Sequence, residues 1–372
     1  MISIFGGLPK LNEYHNLYKH KNILIVSGKS SFIKSGAKKI IDDVLKDENV
    51  IIFNDFSNNP KLEDAIRGTE IARANNIQVI IAVGGGSVID MAKLIKSFYL
   101  SPGNEKNIST GNKEVVDPNM PLIAIPTTAG PGSEATHFAV VYIKDKKFSV
   151  AASCLLPEAV ILDGSLVLSG SKYQKSCNVL DAMAQAIESY WASSSTEDSR
   201  IYSLAALNLG WGEIVNFINP NHSPKNAQNM LEAANLAGKA INISKTTAAH
   251  AWSYAFTSFY DVPHGHAIWL TLPAIFETHT SVKDVDVTDS RGPKHLKKIM
   301  KNLTKIMSLD NNISIKYQLE SILNALQVES QMELLGVNTK EKRKIISNLV
   351  NIERMSNNPV NLDNYKSKIF RL

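Results

Sequence analysis

The 372-residue sequence contains only two cysteines, Cys154 and Cys177. Two thiols exclude the disulfide framework that stabilises small secreted domains, and they favour a reducing compartment. No apolar run approaches the ~18 residues that a membrane-spanning helix needs. The N-terminus also lacks the basic segment, apolar segment and cleavage site of a signal peptide. We therefore expect a cytoplasmic protein that does not span a membrane.

Basic patches with interleaved aromatic residues, which would indicate nucleic-acid binding, are also missing. The net charge is only +5 at pH 7, and part of the excess lies in the lysine-rich segment 294–305. Such a pattern is typical of a solvent-exposed helix face. We therefore expect a globular protein without a nucleic-acid partner.

The first part of the chain alternates short apolar runs with amphipathic segments. The predicted strands are NILIVSG, NVIIFNDF, VIIAVGGG and PLIAIPTTAG, and segments with helical periodicity separate them. This rhythm predicts a doubly wound α/β domain with a parallel sheet. After AVILDGSLV the pattern is helical. We therefore predict an α/β nucleotide-binding domain at residues 1–165 and an all-helical domain at residues 166–372.

A run of three glycines, Gly84, Gly85 and Gly86, separates a predicted strand from a predicted helix that begins near Ser87. Glycine lets a phosphate oxygen approach the backbone closely, and a helix N-terminus offers free N–H groups. The run is not a GxGxxG fingerprint, and a structural tight turn is the alternative interpretation. Its position between strand and helix favours pyrophosphate binding.

A second candidate loop, PTTAGPGSE, also follows a predicted strand. It supplies small residues and the hydroxyl groups of Thr127, Thr128 and Ser133. Such a loop either lines a nucleotide pocket or is a plain connection.

A carboxylate and a carboxamide mark an otherwise apolar helix, DAMAQAIESYW. Asp181 and Gln185 are four residues apart, so they share one face of this helix. Three histidines, His250, His264 and His266, follow within one short segment. A lone histidine on an apolar helix is usually a core residue. Together, Asp181, His250 and His264 form a carboxylate–imidazole set that suits Fe²⁺, Zn²⁺ or another divalent first-row metal.

The motifs together resemble the iron-containing, or group III, alcohol dehydrogenase family. GGGSVIDMAK, PTTAGPGSE, DAMAQAIESYW and VPHGHA occur in that family's order and spacing over nearly the whole chain. The resemblance implies an α/β nucleotide-binding domain followed by an all-helical domain. It also implies NAD(P)(H)-dependent interconversion of alcohols with aldehydes or ketones, and a homodimer or larger assembly.

The resemblance further implies a metal held by an Asp, a His four residues later and two more His fourteen residues apart. Asp181, His250 and His264 match three of these positions, but the second is Gln185. An amide oxygen is a harder and weaker ligand than imidazole, so we expect lower affinity for soft metals. The resemblance also implies that a glutamine occurs at this position in a branch similar to phosphonoacetaldehyde reductases. We therefore interpret Gln185 as a trait of that subfamily rather than as the sign of a lost metal site.

Three further side chains are candidates for chemistry. Many members of the family carry another histidine four residues after the third ligand, where this chain has Tyr254. Either Tyr254 or the nearby His266 would deliver the alkoxide proton. Lys245, which precedes the ligand histidine by about one turn, would hold an anionic group of the substrate. Packing or surface exposure is the alternative interpretation for all three.

The end of the first predicted strand bears on the choice of cofactor. NAD-specific relatives carry an Asp there for the ribose 2′-hydroxyl, whereas this chain has Gly28, followed by Lys29 and Ser30. A missing carboxylate next to a lysine and hydroxyl groups favours NADP(H) over NAD(H), unless Lys29 is merely solvated. Other residues predicted to line the nucleotide site are Gly85, Gly86, Ser87, Asp90, Thr127, Thr128, Ser133 and, by family position, Lys147.

We therefore predict a metal-dependent NAD(P)H alcohol dehydrogenase or aldehyde reductase. Its substrate would be a small aldehyde, with phosphonoacetaldehyde as the specific candidate. Two other functions stay open. A dehydroquinate-synthase-like cyclase would share the nucleotide domain and a metal but would recycle its cofactor. A metal-poor binding protein would be consistent with Gln185 and Tyr254.

Overall fold

The chain forms two compact units, Met1–Gly170 and Ser171–Leu372, in the computed structural model. The structure describes residues 2–5, 7–144, 146–219, 221 and 223–372. The boundary predicted near residue 165 lies within a short 3₁₀ turn, Gly164–Val167, shortly before this division. Within the described residues, every helix is too short or too polar to cross a membrane.

The first unit is built on a six-stranded sheet whose neighbouring strands are all parallel. Its strands are β1 (Ile2–Phe5), β2 (Asn22–Ser27), β3 (Asn49–Phe53), β4 (Val79–Gly84), β5 (Leu122–Pro126) and β8 (Ala159–Leu162). They lie in the order β1-β8-β5-β4-β2-β3. The strands β6 (Phe138–Ile143) and β7 (Lys146–Ala151) form a separate antiparallel hairpin. The predicted parallel sheet is confirmed.

Helices connect the strands of this unit. They are α1 (Ser31–Lys34), α2 (Ala37–Val44), α3 (Leu62–Ala74), α4 (Gly86–Phe98) and α5 (Glu105–Ser109), with 3₁₀ segments at Leu8–Leu17, Ser133–Ala135 and Ser153–Leu155. All residues of β4 and β5 are buried. Burial on both faces explains why these strands are continuous apolar runs rather than alternating ones.

Two elements of the first unit were not predicted from the sequence. The strand β1 is only four residues long and pairs with β8, which is far away in the sequence. In the hairpin β6–β7 most positions are exposed or half-buried; β6 is an apolar run, FAVVYI, whereas β7, KKFSVA, mixes polar and apolar residues. Pairing with a distant segment therefore decides β1, whereas β6 and β7 are close in the sequence and their hairpin is a local element that was missed.

The second unit consists of helices, as predicted. They are α6 (Lys172–Trp191), α7 (Glu197–Gly210), α8 (Ile214–Ile218), α9 (Pro224–Ser244), α10 (Ala248–Tyr260), α11 (His264–Trp269), α12 (Leu272–Ser281), α13 (Pro293–Ile306), α14 (Ile315–Leu326), α15 (Lys340–Asn348), α16 (Ile352–Ser356) and α17 (Lys366–Phe370). Short 3₁₀ segments lie at Trp211–Glu213, Asp284–Asp286, Met332–Leu335 and Asp363–Tyr365.

One predicted helix of this unit is divided in two. The segment HAIWLTLPAIFETH reads as one helix, but α11 ends at Trp269 and α12 begins at Leu272. Pro273 lacks the N–H that would continue the first helix, whereas proline is well tolerated in the first turn of the second. The break therefore follows directly from the proline.

Candidate active site

Several of the predicted nucleotide residues lie at the carboxyl edge of the parallel sheet. The strands β2 and β4 are neighbours although β3 lies between them in the sequence, so the connections after them run in opposite directions. Nucleotides bind outside the carboxyl ends of the strands at such a point. Gly28, Gly85 and Thr127 follow the adjacent strands β2, β4 and β5 at this edge.

The glycine run packs directly against the second candidate loop. A Cβ added to Gly86 would lie 2.8 Å from Cγ of Pro131 and 3.1 Å from Oγ of Ser133. A Cβ added to Gly85 would lie 3.1 Å from Cγ2 of Thr128. The helix α4 begins at Gly86, so its first N–H groups face the end of β4. Glycine is therefore required here for close approach, and the turn keeps the features of an anion site.

Two buried ionisable side chains, Asp90 and Lys93, bond to this loop or to the strand that follows it. The backbone N–H of Val140 donates to Oδ2 of Asp90 at 3.1 Å, and burial raises the pKa of Asp90. Nζ of Lys93 donates to the carbonyl oxygens of Ser133 and Thr136, both at 2.6 Å. Burial lowers the pKa of Lys93 to about 8. Asp90 and Ser133 thus have structural partners, and their contact with a cofactor stays a prediction.

Lys93 was missed among the functional candidates, although it ends the quoted motif GGGSVIDMAK. The signal that would have identified Lys93 is a lysine within an otherwise apolar helix. A buried ammonium group must have hydrogen-bond acceptors, so such a lysine has specific partners in the fold.

Lys29, the predicted phosphate-binding residue, is paired with an acidic side chain. Its Nζ lies 2.6 Å from Oδ1 of Asp55, which follows the neighbouring strand β3. Arg67 lies on the other side of Asp55, with Nη2 at 3.7 Å from Oδ2, and also contacts Asp64 at 3.0 Å. The hydrogen bond from Lys29 lowers the pKa of Asp55. Two cations and a carboxylate therefore meet beside Gly28.

The remaining predicted nucleotide residues occupy the same unit. Ser30 is the N-cap residue of α1. Oγ of Ser87 accepts a hydrogen bond from the N–H of Asn59 at 3.3 Å. Lys147 is exposed on β7, and its charge acts on Asp90 in the direction that lowers the pKa of that carboxyl.

Three side chains in the second unit converge on one point. Asp181 on α6, His250 on α10 and His264 at the start of α11 each offer one ligand atom, and these atoms all lie within 4.8 Å of one another. The rings of His250 and His264 have centroids 5.4 Å apart. Asp181 and His250 are buried, and His264 is half-buried. This is the carboxylate–imidazole set that the sequence predicts for a metal.

A glycine lets the helix that carries His264 approach the helix that carries Asp181. A Cβ added to Gly265 would lie only 1.9 Å from the backbone oxygen of Cys177 and 3.0 Å from the backbone N of Asp181. A side chain at this position would force α11 away from α6. The glycine of the PHGHA motif is therefore a packing requirement of the candidate metal centre.

The electrostatic environment of His250 favours a positive charge at this point. Burial opposes protonation, but the charge of Glu188 and hydrogen bonds to Asp181 and Glu188 outweigh it and raise the pKa of His250 to about 9. Nε2 of His250 faces Oδ1 of Asp181 at 3.4 Å, near the upper limit of a hydrogen bond. A buried imidazole nitrogen of this kind, next to a carboxylate, fits a bound cation.

Gln185 bonds to the candidate ligand Asp181. Its Nε2 donates to Oδ1 of Asp181 at 3.1 Å, and both side chains are buried. Burial would raise the pKa of Asp181, but hydrogen bonds from His250 and Gln185, together with the charges of the two histidines, lower it. The amide of Gln185 thus supports the ionised carboxylate, while direct coordination by Gln185 stays a prediction.

The two candidate proton donors have different surroundings. The ring of Tyr254 is stacked on that of the candidate ligand His264, with centroids 5.9 Å apart and an interplanar angle of 9°. His266 is hydrogen-bonded at both ring nitrogens: Tyr173 Oη lies 2.9 Å from Nδ1, and Nε2 donates to the carbonyl oxygen of Glu329 at 2.6 Å. His266 thus has no ring nitrogen left for a substrate, and Tyr254 is the better candidate.

Lys245 is paired with an acidic side chain of the protein itself. Its Nζ forms an ion pair with Oε1 of Glu353, and the side chains of both residues are more than half exposed. The lysine would have to break this pair to hold a substrate anion, so its predicted role has no direct structural support.

Two family profiles match the chain. The profile of iron-containing alcohol dehydrogenases matches residues 3–164, and that of the C-terminal domain of Fe-containing alcohol dehydrogenases matches residues 177–368. The chain belongs to the iron-containing alcohol dehydrogenase family. The predicted family, the fold class and the general activity of an alcohol dehydrogenase or aldehyde reductase are confirmed.

Individual proteins that are similar to this chain are alcohol dehydrogenases and aldehyde reductases. Alcohol dehydrogenase 4 of Saccharomyces cerevisiae is 28% identical over 285 residues, which cover 75% of this chain and 74% of the yeast protein. Phosphonoacetaldehyde reductase of Streptomyces viridochromogenes is 29% identical over 239 residues, which cover 61% of this chain and 60% of the Streptomyces protein. The crystal structure of sulfoacetaldehyde reductase from Bifidobacterium kashiwanohense, in complex with NAD⁺, has a TM-score of 0.88 at 24% identity, and covers 100% of this chain and 96% of that one.

Proposed function

We propose that this protein is a metal-dependent NAD(P)H aldehyde reductase that acts on a small aldehyde bearing an anionic group. The observation that carries the proposal is the convergence of Asp181, His250 and His264 within 4.8 Å. Membership of the iron-containing alcohol dehydrogenase family supports the reaction class. A carboxylate and two imidazoles suit Fe²⁺ or Zn²⁺.

Asp181, His250 and His264 would hold the metal, with Gln185 as a fourth neighbour either directly or through a water molecule. When bound, the cation would polarise a carbonyl oxygen and the reduced nicotinamide would supply hydride. Asp181 contributes the negative charge that attracts the cation, and Gln185 holds that carboxylate in its orientation. Tyr254, stacked on His264, is our candidate for proton delivery to the product oxygen.

The cofactor proposal is NADP(H) in preference to NAD(H). Lys29 and Arg67 flank Asp55 at the carboxyl ends of β2 and β3, where a ribose 2′-phosphate would find two cations. Gly85 and Gly86, with the N-terminus of α4, would receive the pyrophosphate. Thr127 and Thr128 would line the same site.

The substrate proposal is a two-carbon aldehyde with a phosphonate or related anion, phosphonoacetaldehyde first, with 2-hydroxyethylphosphonate as the product. The likeness to the phosphonoacetaldehyde reductase of S. viridochromogenes supports it.

We further propose a homodimer in the cytoplasm. The two cysteines, Cys154 and Cys177, are not paired in a disulfide, which is consistent with a reducing compartment.

Steady-state kinetics with NADPH oxidation followed at 340 nm tests the proposal. We expect phosphonoacetaldehyde and sulfoacetaldehyde to be reduced far more efficiently than butyraldehyde. Equal efficiency on all three aldehydes would contradict the proposed preference for an anionic substrate, but it would still agree with the proposed reductase activity. Absence of net NADPH consumption, with turnover of a cyclase substrate, would support the cyclase instead. Metal analysis of protein purified without chelator should give about one equivalent, and a metal-free protein would support the binding-protein alternative.

A further inference from the structure

A buried glutamate lies behind one of the candidate metal ligands. The side chain of Glu188 on α6 is fully buried, and its Oε2 is hydrogen-bonded to Nδ1 of His250. The other nitrogen of His250, Nε2, lies next to Asp181. The two ring nitrogens of His250 thus face different carboxylates, one outside the candidate metal set and one inside it.

The second oxygen of Glu188 is held by a set of fixed donors. Oε1 accepts hydrogen bonds from Oγ1 of Thr247 and from the backbone N–H of Ala249, both at 2.8 Å. Trp191 Nε1 in turn donates to Oγ1 of Thr247 at 2.8 Å. The carboxylate also lies at the N-terminus of α10, where negative charge stabilises the helix. It is therefore locked in position from two sides.

We propose that Glu188 is a positioning residue that fixes the tautomer and ring orientation of His250 for metal binding. Glu188 is outside the set of residues that would touch the metal, and the inference rests on the proposed metal centre. A carboxylate accepts hydrogen bonds only, so Oε2 requires a proton on Nδ1. The lone pair of Nε2 is then presented to the cation beside Asp181. Partners of this kind typically contribute 10–100-fold to metal affinity.

A purely structural role as a cap of α10 makes a different prediction. In Glu188→Gln the amide oxygen still accepts from Thr247 and Ala249, so the cap is retained. The amide NH₂ then faces Nδ1 of His250 and donates where the carboxylate accepted, which favours the tautomer with the proton on Nε2. Glu188→Gln therefore separates the two roles. Glu188→Asp keeps the charge but withdraws it by one methylene group.

The control is Ser189→Ala on the same helix. Ser189 is buried and its hydroxyl lies 2.6 Å from that of Ser244, so the variant loses a buried hydrogen bond without touching a candidate ligand. We would measure Zn²⁺ affinity by competition with a chromophoric chelator, and the visible absorption spectrum of Co²⁺-loaded protein. Far-UV circular dichroism and the thermal midpoint of the metal-free protein would report folding.

We expect Glu188→Gln to bind Zn²⁺ about 10–100-fold more weakly than wild type and to show altered Co²⁺ bands. Glu188→Asp should lie in between, and Ser189→Ala should bind as wild type does. Zn²⁺ affinity of Glu188→Gln within about threefold of wild type would overturn the inference. If Glu188→Gln does not fold, Glu188→Asp decides, because affinity equal to that of Ser189→Ala would also overturn it. If wild type itself binds no metal, the proposed function fails instead.

Discussion

Nε2 of Gln185 donates a hydrogen bond to Oδ1 of Asp181 at 3.1 Å, inside the candidate metal centre. The family resemblance implies an imidazole at this position. The amide instead turns a donor towards the neighbouring carboxylate, and this stabilises the ionised form of Asp181. Gln185 therefore contributes to the candidate site through its hydrogen bond to Asp181. The metal would be held firmly by three side chains rather than four.

Gln185→His should restore a fourth nitrogen ligand on the same helix face. We expect the affinity for Zn²⁺ to increase about tenfold or more, equivalent to ~1.4 kcal/mol, because imidazole is a better ligand for this metal than an amide. Competition with a chromophoric chelator measures it. Gln185→Ala is the matched control, and it should weaken binding only modestly. An unchanged affinity in Gln185→His would mean that this helix position does not reach the cation.

Asp55→Asn should shift the cofactor preference towards NADPH. The carboxylate of Asp55 offsets part of the positive charge of Lys29 and Arg67, and so weakens their attraction for a 2′-phosphate. Its removal frees Lys29 and Arg67, so we expect the ratio of kcat/KM for NADPH to that for NADH to rise about tenfold. Calorimetric titration with adenosine 2′,5′-bisphosphate and with AMP gives a second readout that does not depend on turnover.

The control for Asp55→Asn is Asp42→Asn. Asp42 forms an exposed ion pair with Lys38 on α2, in the same unit. An exposed pair contributes little to stability, so this variant should leave both cofactor constants unchanged. If Asp55→Asn also leaves the preference unchanged, the ribose does not lie at the ends of β2 and β3.

Several features of the site are visible in the sequence because they depend on local spacing. The strand–glycine–helix succession predicts the turn around Gly85 and Gly86, and the four-residue spacing predicts the shared face of Asp181 and Gln185. Pro273 is likewise a local signal for the break before α12, although the periodicity of the segment predicts one continuous helix. Spacing along the chain, however, does not reveal which distant side chains meet.

The side-chain partners that were missed around the site depend on such distant contacts. Glu188 reaches His250, Lys93 reaches the loop at Ser133, and Asp55 reaches Lys29, although each pair is far apart in the sequence. His266 depends on packing too: its place two residues after the candidate ligand His264 suggests a catalytic role, which stays a prediction. The fold turns its ring towards Tyr173. Tertiary packing decides these partners, and no periodicity encodes it.

Gly86→Ala should impair dinucleotide binding. The added Cβ would lie 2.8 Å from Cγ of Pro131, so the loop at residues 126–134 would have to move away from the first turn of α4. We expect at least about tenfold weaker NADPH binding, measured by quenching of tryptophan fluorescence, and a destabilisation of about 1–3 kcal/mol. Gly212→Ala is the control, since an added Cβ there meets no atom within 4 Å. Similar behaviour of both variants would contradict the close packing.

His279 should make the protein sensitive to acid. It is fully buried on α12, and burial lowers its pKa to about 3. Asn358 Nδ2 lies 3.2 Å from its Nε2, which accepts the hydrogen bond. An unfolded histidine titrates near ~6.5, so between pH 6.5 and 3 the unfolded chain binds one proton more than the folded chain. The free energy of unfolding should therefore fall with decreasing pH, by up to about 1.4 kcal/mol per pH unit.

Urea unfolding at a series of pH values between about 4.5 and 7.5, monitored by circular dichroism, tests this dependence. The free energy of unfolding should begin to fall with decreasing pH within this range. In His279→Gln the slope should become shallower, because Gln cannot take up the proton, even though the variant is less stable near neutral pH. His15→Gln removes an exposed imidazole and should keep the wild-type slope. Parallel curves for wild type and His279→Gln would show that His279 is not the group whose protonation drives acid unfolding.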